Sequence, residues 1–123
     1  VPESQADFSV RLYRARSFPQ QWELVSRLLV GHKYSDASLI QRDGIWWMFV
    51  HIERDNLLDL YFSMDLHTGW QQHPCNPLVR GSVAFSRPAG RVVEFDGHIY
   101  RFSQDGSPSY GTRVHAFLIE EMT

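Results

Sequence analysis

The sequence is short of several things, and each shortage closes off a class of protein. A single cysteine, Cys75, in 123 residues leaves no partner for an internal disulfide. No stretch approaches the roughly 20 apolar residues that span a bilayer, and no basic-then-apolar leader opens the chain. The chain therefore reads as soluble, with no membrane partner and its compartment left open. Twelve basic residues against fourteen acidic ones give a formal charge of −2, so no global field favours nucleic acid or an anionic surface. Six histidines and one cysteine show no His-x-x-x-His or Cys-x-x-Cys spacing, so neither a metal nor a cofactor is expected. A Gly-rich phosphate loop and a Gly-x-Ser-x-Gly elbow are both missing.

Aromatics, by contrast, are plentiful at 14%. They concentrate in the stretch Tyr34 to Trp70, around which the chain is organised. Three short apolar runs lie there, Ala37 to Ile40, Ile45 to Ile52 and Leu57 to Phe62. They are too short for helices and rich in Ile, Val, Trp, Phe and Tyr, so they read as strands. Asp43-Gly44 between the first two suits a type I′ turn, whose central residues both need φ > 0. Arg54-Asp55-Asn56 is a second polar break. The result is an antiparallel meander, with a fourth strand expected over about Gln71 to Val79. Pro74 and Pro77 there lack ladder donors and suit an outer edge.

On either side the pattern continues. Val1 to Asp7 is polar and expected to fray. Phe8 to Ala15 alternates as a half-buried strand. Glu23 to Val30 has helical propensity, but a strand is preferred. Beyond the meander, Gly90 to Phe95 and His98 to Ser103 flank a second Asp-Gly turn at Asp96-Gly97, and Tyr110 to Ile119 is a last strand.

The chain also repeats itself. Leu12-Tyr13 recurs as Leu60-Tyr61 and Trp22 as Trp70, both 48 positions on. Asp43-Gly44 with Trp47-x-Phe49 recurs as Asp96-Gly97 with Tyr100-x-Phe102, both 53 positions on. A period near 50 with four short strands per unit fits the blades of a β-propeller. The predicted fold is all-β, a single domain over 1–123 holding about two and a half blades. Residues 8–30 give the two outer strands of one blade, 34–79 a whole blade, and 85–119 the three inner strands of a third. The strand reading of Glu23 to Val30 follows, because its counterpart in the next unit carries two prolines. The alternative is a small β-sandwich or barrel built on a duplicated meander.

The runs DASLIQRDGIWWMFV, LYFSMDLHTGW and HPCNPL resemble the five-bladed propellers of glycoside hydrolase families 43 and 32. The later run SRPAGRVVEFDGHIYRFSQDGSPSYG resembles more closely the propeller domain attached to plant glycosyltransferases that act on inositol phosphorylceramide. Such propellers are normally more than twice this length, so the chain would hold about half of one. Its start at Val1 rather than Met fits a processed, trimmed or partial chain.

The resemblance implies a carbohydrate-binding or carbohydrate-processing domain. By position, Asp36 matches the catalytic-site Asp that orients the general acid in the hydrolases. The pattern departs in two places. Ala37 stands where the family has Pro, and the next inner strand, entered through Ser82 to Arg91, carries Arg87 and Arg91 where the acid would stand. A complete hydrolytic pair of carboxylates is therefore not expected in this chain, and whether it is an enzyme stays open. Strand direction alone gathers Asp36, His51, Arg87 and Gln104 on one face near the axis. An acid, an imidazole, a guanidinium and an amide can together hold sugar hydroxyls or a sugar-linked anion.

Each also has a plain structural role open to it. Asp36 can bond nearby backbone N–H groups, Arg87 can simply pair with Asp36, His51 can be an internally satisfied histidine, and Gln104 can shape its turn. Trp22 and Trp70, at matching positions, read as packing corners rather than sugar platforms. The alternative function is a non-catalytic interaction or assembly module that keeps only the fold. Separately, the open edges of the partial blades suit a second copy, two half-propellers making a homodimer of five blades.

Overall fold

A computed structural model describes residues 2–5, 8–17, 21–54, 56–81, 86–89, 91–105 and 113–120. Ten strands occur among them: β1 (Pro2–Gln5), β2 (Ser9–Ser17), β3 (Gln21–Val30), β4 (Tyr34–Arg42), β5 (Ile45–Ile52), β6 (Leu57–Ser63), β7 (Gln71–Gln72), β8 (Val93–Phe95), β9 (His98–Asp105) and β10 (Arg113–Ile119). Among the described residues there is no helix, and so none long and apolar enough to cross a membrane. Residues 18–20 and 106–109 of the expected loops, 82–85 of the lead-in, and 110–112 at the start of the expected last strand lie outside the described residues, while Gln104 and Asp105, expected in a loop, continue β9.

The strands form three antiparallel sheets, ordered β1-β2-β3, β4-β5-β6-β7 and β10-β9-β8. Both Asp-Gly turns are tight reversals with left-handed backbone at each central residue: φ is 54° and 78° at Asp43-Gly44, and 51° and 76° at Asp96-Gly97. That geometry matches the right-handed twist of the flanking strands.

Side-chain alternation along β5 and β6 sorts the core into two layers. Met48, Val50, Ile52 and Tyr61 face the first sheet and pack with Val10, Leu12, Leu28, Leu29 and Tyr34. Trp47, Phe49, Leu58 and Leu60 face the other way and pack with Val92 and Ile99 of the third sheet region. The middle sheet is therefore covered on both faces, which is why β5 reads as an apolar run broken only by His51. Met48 and Val50 are fully buried, and each contributes on the order of 1.5–3 kcal/mol of apolar burial. The sheets are also stitched by polar contacts, since the Val92 N–H donates to Ser38 Oγ at 2.7 Å.

Three sequence expectations change. Pro2 to Gln5 is not frayed: it pairs with β2 from Pro2 opposite Leu12 to Gln5 opposite Ser9, so the first sheet has three strands where the repeat gave two. The fourth strand of the middle sheet is a ladder only at Gln71–Gln72, and it is regained at the bridge between Leu58 and Val79. Between them the Asn76 carboxamide takes over the pairing, donating to the Leu60 carbonyl and accepting from the Leu60 N–H, both at 2.8 Å. The strand expected over Gly90 to Phe95 is shorter, Val93–Phe95. Upstream, 87–89 join the same β9 ladder, with the Ala89 N–H on the Phe102 carbonyl and the Gln104 N–H on the Arg87 carbonyl, both 2.9 Å.

Candidate functional site

β4 begins with a distortion. Ser35 stands opposite His51 and Ser38 opposite Phe49, so Asp36 and Ala37 together face Val50 alone. This is a β-bulge, a device that re-aims a side chain. Asp36 adopts φ 53° within it. A left-handed conformation costs a non-glycine residue on the order of 1 kcal/mol, least for Asn and Asp, and it persists only where its surroundings hold it. Here the Asp36 carboxylate accepts from the Arg87 Nε–H in a close ion pair. The two side chains are 34% and 38% exposed, so the pair sits at a solvent-accessible rim.

Arg87 is positioned from the third sheet. The Gln104 N–H donates to its carbonyl, and the Gln104 Nε2 donates to the Pro88 carbonyl at 2.8 Å. Ser86, Pro88 and Ser103 are fully buried beneath this junction. Gln104 therefore acts on the arrangement through Arg87's backbone.

His51 lies one step inward. Ser35, next to Asp36, bonds the His51 Nδ1 at 2.8 Å, and Nε2 bonds Asn56 Oδ1 at 3.2 Å. With a carbonyl oxygen on Nε2, that nitrogen carries the proton and Nδ1 accepts from the Ser35 hydroxyl. Asn56 reaches it from a left-handed turn position, φ 51°. Burial lowers the His51 pKa from its ordinary value. Arg87 adds to the lowering, while the Asn56 bond and the charges of Glu53 and Asp36 oppose it. His51 is thus neutral at pH 7 with both ring nitrogens engaged, and it supports the rim from below.

The structure brings Asp36 and Arg87 into contact, sets Gln104 behind Arg87 and places His51 under Asp36 through Ser35. Sequence reasoning gave Asp105 only a turn-shaping role beside Gln104; its side chain is 10% exposed and approached by Arg113 Nε at 3.5 Å and His115 Nε2 at 3.4 Å. Arg113 faces Asp105 in the β9-β10 register, with His115 two residues on. Only that register joins them, and the intervening residues carry no length rule that predicts it. Among the described residues no group of three or more His, Cys, Asp and Glu is arranged to hold a metal ion.

The tryptophans divide. Trp47 is buried in the second core layer. Trp70 is half-buried against the first, with its Nε1–H on the Leu66 carbonyl at 3.1 Å. Trp22, the repeat partner of Trp70, is 42% exposed, so the packing-corner reading does not extend to it.

Comparison with known sequences follows the same residues from end to end. The family described as glucosamine inositolphosphorylceramide transferase 1, N-terminal, matches residues 1–123. A protein of that name from Oryza sativa subsp. japonica is 35% identical over 130 aligned positions, which take in the whole of this chain and 17% of that protein. Its namesake from Arabidopsis thaliana is 28% identical over the same coverage. The chain thus spans about one-sixth of the length of these relatives. No solved structure gives a significant match.

Proposed function

The chain belongs to the family of glucosamine inositolphosphorylceramide transferase 1 N-terminal domains, and from that premise we propose that it is a propeller-type, carbohydrate-binding domain holding a sugar or sugar-linked anion at Asp36 and Arg87. The observation that carries this reading is the bulge that turns Asp36, in a left-handed conformation, onto Arg87 at an accessible rim. An exposed ion pair contributes only about 0–1 kcal/mol to stability, roughly what the Asp36 backbone gives up. Stability alone is a poor reason for the arrangement, whereas a fixed carboxylate beside a guanidinium presents acceptors and donors together, as vicinal hydroxyls require.

Three antiparallel sheets stacked face to face, each an up-and-down run, support a propeller of the kind seen in glycoside hydrolases. The relatives' name supports an amino sugar or an inositol phosphate headgroup as the ligand class. The role is binding, with Gln104 and His51 as positioning residues.

Calorimetric titration of the chain with glucosamine and with inositol 1-phosphate tests this. Saturable binding of either, lost in Arg87→Ala and Asp36→Ala while both variants stay folded, is the expected result. Equal heats for wild type and both variants would refute the site.

A second reading, an assembly module, is favoured by a different observation. Phe95, Val114 and Leu118 are 72%, 60% and 49% exposed on the third sheet. Such a face suits a second copy of the chain in a homodimer, or another protein surface.

A further inference from the structure

We propose that the groove at Trp22 is a second, separate sugar subsite, in which one pyranose ring stacks on an aromatic platform. The groove has a volume of about 290 Å³ and runs between the first sheet and the Asp65 to Gly69 corner of the middle one. Its apolar wall comes from Leu12, Val25 and Leu66, and Tyr13, Trp22, Arg14 and His67 complete it. A volume near 300 Å³ is at the small end for ligand sites, which is room for a single ring.

The internal repeat supplies the contrast. Trp22 and Trp70 occupy matching positions 48 residues apart. Trp70 uses its N–H on Leu66 and packs against the core. Trp22 leaves 42% of its surface in solvent and lines a groove.

The rim decides what class of ring fits. Arg14 lies 3.8 Å from Glu23, and His67 lies 3.8 Å from Asp65. Arg14, the rim's permanent cation, is thus matched by a carboxylate, and the rim presents hydrogen-bond donors and acceptors together. It suits a neutral, hydroxyl-bearing ligand with one apolar face. A pyranose has that form: its axial C–H groups are slightly positive and meet the negative π face of an indole, while its equatorial hydroxyls reach the rim.

This subsite shares no residue with Asp36 and Arg87, so the two stand or fall apart. The test titrates the 123-residue chain with methyl glycosides of glucose, galactose, mannose and N-acetylglucosamine into the millimolar range. Tryptophan fluorescence and amide shifts are followed together. At least one glycoside is expected to give saturable quenching, with shifts confined to Leu12, Tyr13, Val25 and Leu66. Trp22→Ala should weaken it about tenfold or more. Wild-type shifts that map elsewhere, or the lack of any saturable change, would overturn the proposal without needing a folded variant. So would a folded Trp22→Ala that binds as wild type does.

Discussion

Asn76 pairs with Leu60 as if its side chain were a peptide unit, with the carboxamide oxygen on the Leu60 N–H and the carboxamide nitrogen on the Leu60 carbonyl, each at 2.8 Å. The two prolines around it cannot supply the missing ladder donors. Leu60 is buried, so removing the amide strands its N–H, at a cost of about 1–3 kcal/mol. Asn76→Ala is expected to lose that much in urea unfolding. Asn76→Asp keeps the acceptor but sets a second oxygen against the Leu60 carbonyl, so it should lose stability too. An unchanged midpoint for both would show the pairing to be idle.

For Arg87 and Asp36 the expectation is the reverse. Their side chains are more than a third exposed, and solvent screens such a pair to about 0–1 kcal/mol. A double-mutant cycle with Arg87→Ala and Asp36→Ala should give a coupling energy below about 1 kcal/mol in thermal melts. A coupling of several kcal/mol would make the pair a structural tie.

Asp59 gives a pH test. It is 7% exposed on the face of β6 toward the first sheet, and its Oδ1 has no hydrogen-bond partner among the described residues. Burial raises its pKa above 3.8, and the charge of His32 only partly opposes this. A carboxyl with a raised folded pKa binds more protons folded than unfolded. Its favourable contribution is therefore complete below 3.8 and lost as pH rises through the folded value. At pH 7 the buried anion is a burden. Asp59→Asn should raise the melting temperature at pH 7 by about 2–5 °C, and the gain should vanish near pH 3.5. Scanning calorimetry at the two pH values checks this, and a gain independent of pH would point to another cause.

The exposed apolar face of the third sheet predicts self-association. Among the described residues Phe95, Val114 and Leu118 each leave about half or more of their surface exposed. Light scattering at micromolar concentration should give a dimer mass, with a melt that rises with concentration. Phe95→Asp with Leu118→Asp should return a monomer. A wild-type monomer whose melt is independent of concentration would rule the homodimer out.

What could be read in advance was local. The two Asp-Gly turns were legible because the φ > 0 requirement is carried by the residues themselves. Strands β5 and β6 were legible because their apolar runs are bounded by turns. The Asp36 bulge was not, since two residues opposite one is a property of register with Val50, and register is a relation between strands. Pro2–Gln5 carries no apolar alternation and is a strand only through its ladder with β2, so its context overrides its propensity. Asp36 and Arg87 could be placed on one face by strand direction, but their contact, and Gln104's grip on the Pro88 carbonyl, depend on residues 51 and 16 positions apart. Trp22 was misread because a repeat equates positions while burial depends on what each unit has beside it.

The double covering of β5 bears on how the sequence can vary. Met48 to Ile52 are all buried, and both edges of β5 are paired, so no polar substitution on these positions finds solvent on either side. Of these, Met48, Phe49, Val50 and Ile52 touch no rim or groove and are thereby closed to drift. Divergence in such a domain will collect on its outer edges, and related chains will look most alike where they do the least chemistry.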